Sequence, residues 1–278
     1  MARIRLTERR RMLQAARDKA TEKVVAEIKP AFRQMQNRIK RYLRANGNLR
    51  KRMMRIRAIS AHDRAAKFLR VADFHSRRPL VKQDQPDQPS ANEQDWLNWK
   101  TVLAAAILAG LLNGGDDLID VEDQVWTSRG GVTVTYDQDQ MTEDMKRRLG
   151  ATVDAVVQST QNQLQNALGD WFGGDEEFSS LMDDIDTIFG DARIDTIGRT
   201  SVGDYLSQII LHTMLGNDWK QWYWDAFGEN PCTTPIIING DEYQGCADLN
   251  GRLFDIGTPM PPDAAHPNCQ CLPTPKTD

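Results

Sequence analysis

Four cysteines, Cys232, Cys246, Cys269 and Cys271, are confined to the last 47 residues of a 278-residue chain, and His266 lies three positions before Cys269. Thiolate and imidazole ligands in a tetrahedral set around zinc would staple a segment too small to build its own core. A Cys232–Cys246 disulfide is a second chemistry, which needs an oxidising compartment. Plain buried thiols are a third. The spacing departs from standard zinc patterns, because Cys269 and Cys271 are separated by one residue and Pro235 stands where a second cysteine would complete a C-x-x-C with Cys232.

The other chemistry-bearing set is cationic. Residues 1–82 hold 25 Lys and Arg against 6 Asp and Glu, whereas the remainder holds 10 against 33, so a net charge of −4 hides two oppositely charged segments. Arg3, Arg5, Arg9, Arg10 and Arg11 open the chain, and Arg50, Lys51, Arg52, Arg55 and Arg57 form a second cluster. Such cations suit sequence-independent, salt-sensitive contacts to nucleic-acid phosphates. An acidic protein surface is an equal alternative, and the two segments can also attract each other within the chain or between subunits.

Helices must position most of this. Leu13, Ala16, Ala20, Val24, Ile28, Phe32, Met35, Ile39 and Tyr42 recur every three or four residues, which predicts a helix over 7–45, with Pro30 kinking or splitting it. A second helix is expected over about 49–74. The polar, proline-punctuated residues 83–95 read as a linker. An apolar helix follows over 96–112, stopped by Asn113-Gly114-Gly115, and its apolar run 101–112 is too short to cross a bilayer. Residues 132–136 read as a short strand. Thr142 is expected to cap a helix that ends at Gly173-Gly174, followed by helices over about 175–189 and 192–215. Beyond Phe227, Ile236-Ile237-Ile238 before Asn239-Gly240 reads as a strand and tight turn, and 252–256 as a second strand.

An enzyme reading has one foothold. His266 and Asn268 beside cysteines suggest a zinc-dependent nuclease of the His-Asn-His type. That needs a second histidine, and only His62, His75 and His212 remain. Asp183, Asp184 and Asp186 are acidic but point in different directions on a helix, which favours a solvated face.

The segment Pro261-Pro262-Asp263-Ala264-Ala265-His266-Pro267-Asn268-Cys269-Gln270-Cys271 resembles the terminal signature of the Mu F-like phage head-morphogenesis family: two prolines, a short gap, then His-Pro-x-Cys-Arg-Cys. Gln270 replaces the usual arginine, and Pro235 replaces one cysteine of an upstream pair. Ala192-Arg193 and Ile197-Gly198-Arg199-Thr200 are similar to the family's Arg-Thr helix. The order of Arg-Thr helix, Trp219/Trp222/Trp224 segment, cysteine loop, Gly251–Phe254 strand and His-Pro-x-Cys tail also agrees. The likeness covers roughly residues 140–275 and leaves out the basic arm.

The resemblance implies a non-catalytic minor head protein of a tailed bacteriophage. It would be assembled in the host cytoplasm and carried in several copies at the portal vertex of the virion, where it would contact portal and capsid proteins and aid head assembly and DNA packaging or delivery. Packaged double-stranded DNA would then be a partner for the basic arm, and zinc a cofactor of the tail; no membrane role is expected. The competing readings are a DNA-binding module with a zinc-stapled tail acting outside the virion, and the nuclease. The expected fold is mainly α with a small β part: a helical arm (1–82), the linker (83–95), a helical domain (96–227) and a Cys/His-rich β-hairpin tail (228–278).

Overall fold

A computed structural model describes residues 6–46, 60–71, 91–130, 138–174, 176–226, 232–262, 265 and 269–277. The protein is mainly α with a few small antiparallel strands and a cysteine cluster near its C-terminus. Among the described residues the helices are α1 (Leu6–Ala45), α2 (Ala61–Val71), α3 (Ala91–Gly130), α4 (Gln138–Gly173), α5 (Phe178–Ile188), α6 (Asp191–Gly216) and the single turn α7 (Cys246–Leu249). The expected strand at 132–136 and most of the 83–95 linker lie outside the described residues, and 91–95 belong to α3.

Helix α1 is not split at Pro30, one of the two outcomes expected there, and α3 does not stop at Asn113-Gly114-Gly115. Helix α1 runs through Pro30, with Ile28, Ala31 and Phe32 buried around it. The proline removes one backbone donor without ending a helix whose apolar face is anchored on both sides. Helix α3 continues through Asn113-Gly114-Gly115 because these glycines serve close packing. A Cβ on Gly110 would stand 2.5 Å from Val24 Cα, and one on Gly114 2.9 Å from Ala20 Cα, while Gly115 faces the Tyr205 ring. The result is a helix whose segment Asp95–Arg129 is, by length and composition, long and apolar enough to cross a membrane, contrary to the expectation from the shorter run. Leu103, Ile107, Leu111, Leu118 and Val125 of that segment are buried within the protein.

The chain divides into two compact units that do not follow the expected arm, helical domain and tail. One comprises Met1–Glu27, Ile107–Leu149 and Asp195–Asp278, so the start of the basic segment shares a unit with the cysteine tail. The other comprises Ile28–Ala106 and Gly150–Ile194. In that second unit Phe32, Trp99 and Phe189 meet with ring centroids 5.2 to 6.0 Å apart, and Phe68 packs edge-on against Phe172. The Trp99 indole N–H donates to the Ala31 carbonyl at 3.2 Å, which satisfies its one polar atom.

The strands belong to the first unit. The tryptophan segment, expected to end the helical domain, is strand β1 (Gln221–Asp225). It is the central strand of an antiparallel sheet, between β4 (Leu253–Asp255) and β5 (Leu272–Pro275). Alternation buries Trp222 and Trp224 on one face and leaves Tyr223 on the other. Strands β2 (Ile236–Ile238) and β3 (Asp241–Tyr243) form the expected hairpin, with Ile236 opposite Tyr243 and Ile238 opposite Asp241. Its turn, Asn239-Gly240, has φ of +54° and +91°, the conformation that two-residue hairpins require. The 252–256 strand pairs with β1 rather than with this hairpin.

Candidate metal centre

The hairpin leads directly into the cluster. Gly245, at φ +122°, lies against the Cys232 backbone, where a Cβ would overlap the carbonyl group. That close approach lets the Cys246 N–H donate to the Cys232 carbonyl at 3.1 Å. Cys246 opens α7, and Cys269 and Cys271 lie on the segment that enters β5. The sulfurs of Cys246, Cys269 and Cys271 all lie within 4.8 Å of one another and all three residues are buried.

Cys246 Sγ and Cys269 Sγ are 3.9 Å apart, matching the roughly 3.8 Å edge of a tetrahedron with metal–sulfur bonds of about 2.3 Å. Cys232 Sγ stands 2.9 Å from Cys246 Sγ, inside that edge but well outside a disulfide bond of about 2.05 Å. None of the four cysteines is joined in a disulfide. The buried trio can therefore bind a metal ion, with Cys232 beside it. His266, the remaining expected ligand, lies outside the described residues.

Left as thiols, the cluster resists ionisation. The hydrogen bond to Cys269, then that to Cys271 and burial, push Cys246 far above the ordinary thiol range. Cys269 is pushed up to about 12: the lowering effect of its hydrogen bond with Cys246 is outweighed by Cys271, burial and the charge of Cys271. A bound divalent cation inverts this balance by favouring the thiolates.

The basic segment is tied to this tail. Arg17 is buried, and its two terminal nitrogens donate to the carbonyls of Gln270 and Cys269, each at 3.0 Å. Burial holds the Arg17 guanidinium below its ordinary pKa, opposed by attraction to Cys269, Asp18 and Cys271. Ser207 of α6 donates to the Pro261 carbonyl, in the cis Pro261-Pro262 pair.

This overturns part of the expected phosphate-binding set. Arg9 is 1% exposed and bound to Glu122, Thr274 and Pro273. Arg10 pairs with Asp225 of β1. Arg9 presents no free cation to DNA, because a buried charge requires a compensating partner and it has Glu122, whereas Arg10 is 37% exposed and engaged by Asp225. Arg11 is exposed. Arg3, Arg5, Arg50, Lys51, Arg52, Arg55 and Arg57 lie outside the described residues. The attraction between oppositely charged segments is realised within the first unit, where Lys19 also meets Asp117 at 2.7 Å.

Of the other expected candidates, His212 is buried with Nε2 3.2 Å from Asp144, and Asp186 receives Gln36 and Lys40. Arg17 was not among the expected site residues. Its signal was present: Arg9 and Arg17 lie four residues either side of Leu13, on the apolar stripe rather than the solvated face. No family model matches this chain, and no curated protein or solved structure matches it.

Proposed function

We propose that this protein is a structural minor head protein of a tailed bacteriophage, held in several copies at the portal vertex and aiding head assembly and DNA packaging or delivery. The observation that carries the reading is the ordered signature from the Arg199-Thr200 helix to Pro261-Pro262 and His266-Pro267-Asn268-Cys269-Gln270-Cys271. Its support in the fold is that the prolines and cysteines of this signature are anchored to helices by Ser207 and Arg17. The role is non-catalytic: a rigid tail on a helical body that docks to portal and capsid proteins.

The metal is zinc, held by Cys246, Cys269 and Cys271, with Cys232 or His266 as the fourth ligand. Zinc accepts tetrahedral thiolate sets and brings no redox chemistry to a structural site. The cations at Arg50, Lys51, Arg52, Arg55 and Arg57 contact packaged DNA through its phosphates.

Mass spectrometry of purified virions tests the role. The protein is expected in particles at a few copies per portal, and particles assembled without it should be defective in head completion or DNA delivery. Its absence from particles would falsify the structural reading and leave the DNA-binding module acting outside the virion. Metal analysis of the purified full chain, with Cys269→Ser beside it, tests zinc: about one equivalent is expected in the parent and loss in the variant.

A further inference from the structure

We infer that Arg17 is the positioning residue of the metal centre: its guanidinium bridges the Cys269 and Gln270 carbonyls and supplies the positive charge that offsets the thiolate cluster. This rests on the metal reading above.

Arg17 is 5% exposed. Among the described residues, no carboxylate lies within ion-pair distance of it. Asp18, its neighbour in sequence, is half exposed, accepts from Gln14 at 2.9 Å and faces Arg199 at 3.8 Å. Among the same residues, the only hydrogen-bond acceptors of Arg17 are two neutral carbonyls of the cysteine segment. A buried cation with neutral acceptors alone is costly, because carbonyl dipoles replace only part of its hydration. Arg9 shows the contrast: equally buried, it has Glu122.

The metal centre supplies negative charge on the side of the two carbonyls, in addition to the attraction of Asp18. Zinc with three thiolates carries a net charge of −1, and with four −2, so the cluster is anionic with either His266 or Cys232 as fourth ligand. Each coordinating thiol releases its proton to solvent. The guanidinium is also held in place. A Cβ on Gly203 of α6 would lie 3.3 Å from Arg17 Nη2 and from Pro262 Cδ, so glycine there leaves room for the side chain beside the tail. One side chain from α1 thus orients two consecutive backbone carbonyls between Cys269 and Cys271 and balances their charge. It acts through the ligands and not on the metal itself.

The test titrates the metal-free full chain with Zn2+ against a chromophoric chelator, and with Co2+ to read thiolate coordination from its absorption bands. The parent, Arg17→Lys and Arg17→Gln are compared. Arg17→Gln removes the charge and should weaken binding by roughly 10- to 100-fold at unchanged stoichiometry and unchanged Co2+ bands. Arg17→Lys keeps the charge but not the two-pronged bridge, and should lose less than about tenfold. The order parent, Lys, Gln is the signature, because a purely structural role lowers folding stability without following side-chain charge. If Arg17→Gln does not fold, by circular dichroism, the Lys variant decides: parental affinity overturns the inference. A metal-binding parent whose variants bind equally well sinks the role of Arg17 and leaves the metal reading intact. A parent that binds neither ion sinks both.

Discussion

Arg9 and Glu122 form a fully buried ion pair, with Arg9 Nε and Nη2 donating to Glu122 Oε1 at 3.0 and 2.8 Å. The second carboxylate oxygen receives the Trp126 indole N–H at 2.6 Å, and Arg9 Nη1 reaches Thr274 Oγ1 at 3.0 Å. The network joins α1, α3 and β5, so elements more than 260 residues apart in sequence meet at one guanidinium.

Breaking one side of that pair should be far worse than removing both. Arg9→Met strands a buried carboxylate and is expected to cost about 3–5 kcal/mol, whereas Arg9→Met with Glu122→Met should recover most of the loss. Urea unfolding of the four proteins in the cycle measures this. Additive losses in the double variant would contradict the coupling.

Two glycines should respond oppositely to alanine. Gly110→Ala places a methyl 2.5 Å from Val24 Cα, so helices must separate, with an expected loss of about 1–3 kcal/mol. Gly150, inside α4, has nothing within 4 Å of a Cβ, and Gly150→Ala should stabilise by about 0.5–1 kcal/mol through helix propensity. Thermal unfolding separates the two; destabilisation by both would refute the packing assignment.

Metal removal should act on stability. At free zinc about 1,000-fold above its dissociation constant, binding to the folded state contributes about 4 kcal/mol. A chelator should therefore lower the unfolding temperature of the parent. Cys269→Ser should start lower and respond little. An identical response in the two proteins would argue against the cysteine site.

DNA binding by the full chain should weaken steeply with salt. Neutralising Arg50, Lys51, Arg52, Arg55 and Arg57 together should flatten the dependence, by about 0.9 in log–log slope for each phosphate that no longer meets a cation. Arg9→Met should leave the slope unchanged, since Arg9 is buried against Glu122. Fluorescence anisotropy at several salt concentrations reads both; a flat response in the parent removes the DNA partner.

The sequence by itself determined the apolar faces of the helices, though not all their ends, the Asn239-Gly240 hairpin and the gathering of reactive groups near the C-terminus. Periodicity and turn chemistry are local, so burial of Leu13, Val24 and Phe32 on one helix face could be read directly. Strand β5 could not, because Pro273 and Pro275 argue against a strand unless it lies at a sheet edge, where β5 does lie. Only the tertiary structure decided that Gly114-Gly115 is a packing surface rather than a stop. It also decided that Cys246 joins Cys269 and Cys271, and that Arg9 and Arg17 turn inward to the tail. A glycine or an arginine has no fixed meaning along the chain. What stands opposite it decides whether it ends a helix or admits a neighbour, and whether it meets solvent or a buried partner.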